Sequence, residues 1–144
     1  MKVNSISLLS VLVFKIITFD LYHLESFYLL SCFQMRNTKK VSVWPVGLVG
    51  KMLYESPILN EENQVSGWHT YWHPERSFAS DMAGFAISME QFLHHSKTRF
   101  SVFSARGYLE SDFISQLAVT LLDLEPKADF CTKVIATKAC KNWC

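Results

Sequence analysis

Apolar residues gather first at residues 6–14 and again at 27–33, with no regular period, and Lys15 and Asp20 fall between the two runs. Each run is shorter than the roughly 20 apolar residues that a membrane-spanning helix needs. Behind Lys2 the first run has the character of a signal-peptide core, without a small-x-small cleavage site after it. Residues 1–32 therefore read in two ways. They are an apolar signal or anchor segment, or they are sequence outside the native fold, from an alternative start or a read-through exon.

The pattern changes after Lys39. Val41, Val43 and the pair Pro45-Val46 alternate with polar or small residues, as in a strand, and Gly47 and Gly50 predict a turn into a second strand over 52–54. Residues 60–66 form a polar loop. Residues 67–72 resume a strand rich in aromatic and β-branched side chains, which ends at a turn over 73–76 containing Pro74. Ile87, Met89, Phe92 and Leu93 then recur near helical spacing and predict a helix reaching about His95, and residues 110–117 begin another. The fold class this implies is mixed α/β.

At 144 residues and 49% hydrophobic composition, the chain has enough apolar material for one packed domain. Its formal net charge of +1, with acids and bases interspersed, gives no footprint for nucleic acid or for a polybasic membrane patch. Cys32, Cys131, Cys140 and Cys144 fit neither a CxxC pair nor a zinc spacing, so disulfide and free thiol both stay open. No Asn-x-Ser/Thr sequon marks a secretory compartment.

Four ionisable residues are candidates for chemistry. Glu110 follows the turn at Arg106-Gly107 and opens a helix, where a carboxylate either complements the helix dipole or, if a hydroxyl reaches it, acts as a general base. Asp81 precedes Met82-Ala83-Gly84-Phe85, whose small residues allow close backbone approach; it reads as a cap or as an acceptor for sugar hydroxyls. Arg76 and Glu55 read blandly as surface charges or, in a site, as ligand contacts. Trp68, Tyr71, Trp72 and Phe78 suit a core more than a sugar-stacking platform. His69, His73, His94 and His95 have no HExxH or facial pattern that would hold a metal.

Residues 41–50, together with Glu55, Arg76, Asp81, Glu110 and the segment Leu124-Glu125-Pro126-Lys127-Ala128, closely resemble the β-1,3-glucuronosyltransferases, which act on galactose-terminated glycans. The resemblance covers residues 33–135. It implies a GT-A type glycosyltransferase fold and the inverting transfer of glucuronic acid from UDP-glucuronate to the 3-hydroxyl of a terminal galactose, in the proteoglycan linkage region or related glycans. It also implies Glu110 as the catalytic base and Glu55, Arg76 and Asp81 as acceptor-binding residues. A manganese cofactor, homodimers, an N-terminal membrane anchor and a Golgi membrane location with a lumenal catalytic region come with it.

In such enzymes an Asp-x-Asp motif holds the cation that neutralises the leaving diphosphate. The sequence has no such motif at the matching place, where Phe19-Asp20-Leu21-Tyr22-His23 stands, so no metal or nucleotide ligand is assigned here. Asp123-Leu124-Glu125 belongs to a different family segment. Residues 136–144 diverge from the family's donor-gripping segment, and Phe130 stands where the family commonly has a glycosylated asparagine. The expectation is a region in which the acceptor half is nearly whole and the donor half is absent, with transfer impaired. The alternative is a catalytically inactive fragment that binds acceptor or pairs with a full-length subunit.

Overall fold

The computed structural model describes residues 36–49 and 51–134 and the backbone of 136–137. The apolar N-terminal segment, Gly50, Cys32, Cys140, Cys144 and most of the divergent tail lie outside those residues.

Two small sheets organise the described chain. β1 (Val41–Val43) is the centre of the first, antiparallel to β5 (Phe85–Ile87) on one side and parallel to β6 (Leu124–Pro126) on the other. Its register sets Val41 between Ile87 and Leu124. All three β1 residues are buried, as expected for a strand covered on both flanks. The polar one, Ser42, is satisfied by a 2.8 Å hydrogen bond with the Thr38 hydroxyl.

The second sheet runs in the order β4-β3-β2-β7, from β2 (Val46–Val49), β3 (Met52–Leu59), β4 (Val65–His69) and β7 (Ala136–Thr137). The expected hairpin is there, but Gly47 lies within β2 opposite Tyr54 rather than in the turn. The turn falls between Val49 and Met52, where Lys51 takes a φ of +71°. Pro57 sits opposite Trp68 in a stretch of β3 that has run past its pairing with β2, so its missing N–H leaves no gap in that ladder.

Three other sequence expectations are corrected. Ile87 belongs to strand β5, not to the following helix: pairing with Val41 overrides an apparent helical spacing that was too short to decide. The helix α1 (Met89–His94) starts after Ser88, whose side chain accepts from the Gln91 N–H as an N-cap. Val65 and Ser66 open β4 instead of closing a loop, and Val65 is fully buried. Residues 70–72 fall outside β4.

Helix α2 (Leu109–Ser115) turns Phe113 and Ile114 inward, and Leu117 follows them one turn on. With Val41, Val43, Val65, Phe78, Phe85 and Leu124 they form the main core. A second cluster of Trp44, Val46, Val49 and Ala128 lies beside the other sheet. Trp44 joins the two regions at the break between β1 and β2, so the loop carrying residues 81–84 is fixed against both sheets. Among the described residues no helix is long and apolar enough to cross a membrane.

Candidate functional site

The four predicted site residues sit on four separate supports that hydrogen bonds tie together. Glu55 lies on β3 opposite Val46, 7% exposed, and its carboxylate accepts from the Thr70 hydroxyl at 2.6 Å. That bond draws the segment after β4 back over the sheet. Two residues beyond Thr70, the Trp72 carbonyl accepts from Nη2 of Arg76 at 2.9 Å.

Arg76 is 8% exposed, and its guanidinium meets three carbonyls. Besides Trp72 these are His73, bonded from Nε at 3.1 Å, and Gly107, bonded from Nη1 at 2.8 Å. A planar fork with donors fixed in direction suits this splicing of two loops, which a lysine would not reproduce. Gly107 lies three residues before Glu110, so Arg76 locks the approach to the helix that carries the candidate base. A second link enters just after it, where the Phe78 N–H donates to Ser111 Oγ at 3.2 Å.

The outer side of this junction is a network that the sequence did not single out. Tyr108 donates its hydroxyl to Glu75 Oε1 at 2.6 Å, and His73 Nδ1 bonds the same oxygen at 2.7 Å. The bond from Tyr108, then the backbone N–H, then His73 hold the Glu75 carboxyl down to about 2, well below the usual carboxylate range. The same bond raises the Tyr108 hydroxyl above its ordinary value. The His73 ring packs between Trp72, edge-on at 4.9 Å, and Tyr108 at 5.2 Å.

Gly107 is required at its position. Its φ is +84°, and a Cβ there would stand 2.2 Å from Trp72 Nε1. Arg106-Gly107 was legible as a turn, but the partners of that turn lie about 30 residues away in sequence and have no local signature.

Asp81 is held as a cap. Its Oδ1 accepts from the Ala83 N–H at 3.0 Å, and its carbonyl accepts from the Gly84 N–H at 2.8 Å. The buried Trp44 braces the turn: its indole N–H reaches the Ala83 carbonyl at 2.8 Å and its backbone N–H the Gly84 carbonyl at 3.0 Å. Gly84 fits because a Cβ would lie 2.9 Å from Ser80 Oγ and 3.0 Å from Val46 Cγ2. Val46 is the residue opposite Glu55, so the Asp81 turn and Glu55 share a neighbour.

The aromatic group divides. Phe78 is buried and Trp68 packs against the core, but Tyr71 and Trp72 are 65% and 44% exposed, so core placement holds for half of the four. The two exposed rings lie between Thr70 and Arg76, next to the junction just described.

Asp123 and Glu125 are engaged with cations and backbone. Asp123 pairs with Lys40 and accepts from Thr120, which hold its carboxyl far below the ordinary range. Burial pushes Glu125 up, but bonds from the Lys40 N–H, the Lys127 ammonium and the Lys39 N–H outweigh it and leave the group lowered. These pairs fasten β6 to the entrance of β1. Among the described residues no three His, Cys, Asp or Glu side chains are grouped so that they could hold a metal ion.

Comparison with known proteins now defines the class, that of a glycosyltransferase. The profile of glycosyltransferase family 43 matches residues 20–139, and the chain belongs to that family. It is 50% identical over 113 residues to galactosylgalactosylxylosylprotein 3-beta-glucuronosyltransferase 2 of Homo sapiens, covering 77% of this chain and 34% of that protein. It is 49% identical to the protein of the same name from Mus musculus, with the same coverage. Against galactosylgalactosylxylosylprotein 3-beta-glucuronosyltransferase 1 of Rattus norvegicus the identity is 46%, again over 113 residues, 77% of this chain and 34% of the relative. The chain thus spans about a third of the length of the curated relatives it matches.

Proposed function

We propose that this chain carries the acceptor side of a 3-β-glucuronosyltransferase of GT-A type, with Glu110 as the base and Glu55, Arg76 and Asp81 as acceptor contacts. The observation that carries the reading is the clamp from Arg76 to Gly107. It sets the start of α2, and with it Glu110, against the turn that leads to Asp81, in a chain half identical to proteins named for this transfer.

In the proposed reaction the galactose 3-hydroxyl attacks the anomeric carbon of UDP-glucuronate from the face opposite the diphosphate. The new carbon–oxygen bond forms as the bond to the diphosphate breaks. UDP leaves with that electron pair, Glu110 takes the hydroxyl proton, and the configuration inverts. Asp81 and Glu55 accept hydrogen bonds from sugar hydroxyls, which fixes the attacking oxygen in reach of Glu110. Besides its acceptor contact Arg76 holds the site in place, since three of its donors bond carbonyls.

The same reading brings a manganese cofactor, homodimers and a lumenal Golgi location with an N-terminal membrane anchor. The described residues do not fit the cation, since no three of their His, Cys, Asp or Glu side chains are grouped to hold it. Transfer from UDP-glucuronate to galactose-β-1,3-galactose, with manganese supplied, tests the reading. Transfer that disappears in Glu110→Gln supports the base assignment. A folded chain that binds the disaccharide without transfer supports the second reading, an inactive acceptor-binding or dimerising fragment. No binding and no transfer from folded protein sinks both.

A further inference from the structure

From Gln91 to Leu109 the chain has no carboxylate, yet it carries Lys97, Arg99 and Arg106. All three are exposed, and among the described residues none of their side chains has a hydrogen-bond or ion-pair partner. Between Arg99 and Arg106 in sequence, Val102 and Phe103 are 92% and 94% exposed. Soluble surfaces tolerate single exposed apolar residues, but two adjacent ones in a loop that carries three exposed cations form a patch with its own preference in partners.

The patch is also firmly placed relative to the candidate base. Phe100 stacks on Phe113 of α2 with ring centroids 4.1 Å apart and 13° between planes. Gln116 holds Arg99 from both sides, accepting from its N–H at 3.2 Å and donating to its carbonyl at 3.1 Å. Phe113 lies one helical turn after Glu110, and the four residues from Arg106 to Glu110 can span at most about 14 Å. The loop therefore rides on the helix that presents Glu110.

We infer that the loop over residues 97–106 docks the polypeptide that carries the acceptor sugars, at a segment of mixed acidic and apolar residues. This rests on the reading of Glu110 as the base toward a sugar acceptor. The relatives are named for an acceptor whose sugars are linked to protein, so a comparable acceptor brings its own polypeptide within a few sugar rings of Glu110. Carboxylates of that polypeptide meet Lys97, Arg99 and Arg106, and its apolar side chains cover Val102 and Phe103. Free sugars match the patch poorly, because they offer neither the charge nor the apolar bulk.

The test measures binding of the 144-residue chain to a synthetic peptide alternating Asp or Glu with Leu and Gly, beside the same peptide with Asn and Gln for the acids, and beside phosphatidylcholine vesicles with and without phosphatidylserine. The inference expects binding of the acidic peptide that weakens as salt rises. Affinity falls roughly tenfold in an Arg99→Ala, Arg106→Ala double variant and several-fold in Phe103→Ser, as for loss of rim charges and of an apolar anchor. Binding of galactose-β-1,3-galactose stays unchanged in these variants. Equal binding of acidic and neutral peptides, indifference to the substitutions, or binding to vesicles but not to peptide would each overturn it. The peptide carries no sugar, so this result stands apart from success or failure of the disaccharide.

Discussion

Glu75 shows how much of the site depends on partners far away in sequence. Tyr108, its strongest contact, is 33 residues away, and that bond, with the backbone N–H and His73, depresses Glu75 from an ordinary 4.5 to about 2. A carboxylate whose folded value is lowered stabilises the fold above its unfolded value and loses that contribution as pH falls. The window here runs from about 4.5 down to about 2. Amide protection factors, which divide out the intrinsic pH dependence of exchange, should fall at residues 107–110 across that range while those of the core hold, and Glu75→Gln should abolish the dependence; a uniform fall along the chain would remove Glu75 from this role. Cys131 makes the opposite case. Burial pushes its thiol up to about 11, and its S–H faces the Val43 carbonyl at 3.8 Å. Iodoacetamide at pH 8 should leave Cys131 unmodified in folded protein and alkylate it once urea unfolds the chain. The four predicted site residues were legible as charges, and through resemblance as a constellation. The cap at Asp81 was one of its two sequence readings, whereas the splice made by Arg76 had no local signal beyond the neighbouring turn.

At the scale of elements, the turn at Gly107 decides how α2 is presented. Gly107→Ala places a methyl group against the Trp72 indole and an L side chain at a φ of +84°. A loss of about 1–3 kcal/mol in unfolding free energy is expected, read by denaturant titration. Disaccharide binding should fall with it, because the Arg76 bond to the Gly107 carbonyl and the start of α2 must shift. An alanine variant with wild-type stability and binding would show that this turn does not position Glu110. Elements with strong local chemistry were readable: the β2–β3 hairpin, the helix after Ser88 and the helix opened near Glu110. Ile87 and Gly47 were misplaced because their conformations are set by pairing with Val41 and Tyr54 across a sheet, which overrides the short-range pattern.

Across the whole molecule, mixed α/β was legible from the change of period along the chain, whereas the division into two sheets joined at Trp44 was not. That division depends on β1 lying between two strands that are more than 40 and 80 residues away in sequence, a pairing that periodicity does not encode. The consequence for function is one contiguous bonded path from Glu55 through Thr70, Trp72 and Arg76 to Gly107 and Glu110, with the Asp81 turn braced alongside. If this path forms an acceptor site, the described region recognises galactose without help from a nucleotide. The direct test is calorimetric titration of the 144-residue chain with galactose-β-1,3-galactose, beside Asp81→Asn and Glu110→Gln, after a cooperative thermal transition has shown that each protein is folded. The account predicts saturable binding by the wild-type chain that weakens several-fold in both variants, since each loses a charged acceptor for a sugar hydroxyl. A folded chain that does not bind the disaccharide, or binds it equally well in both variants, would contradict it.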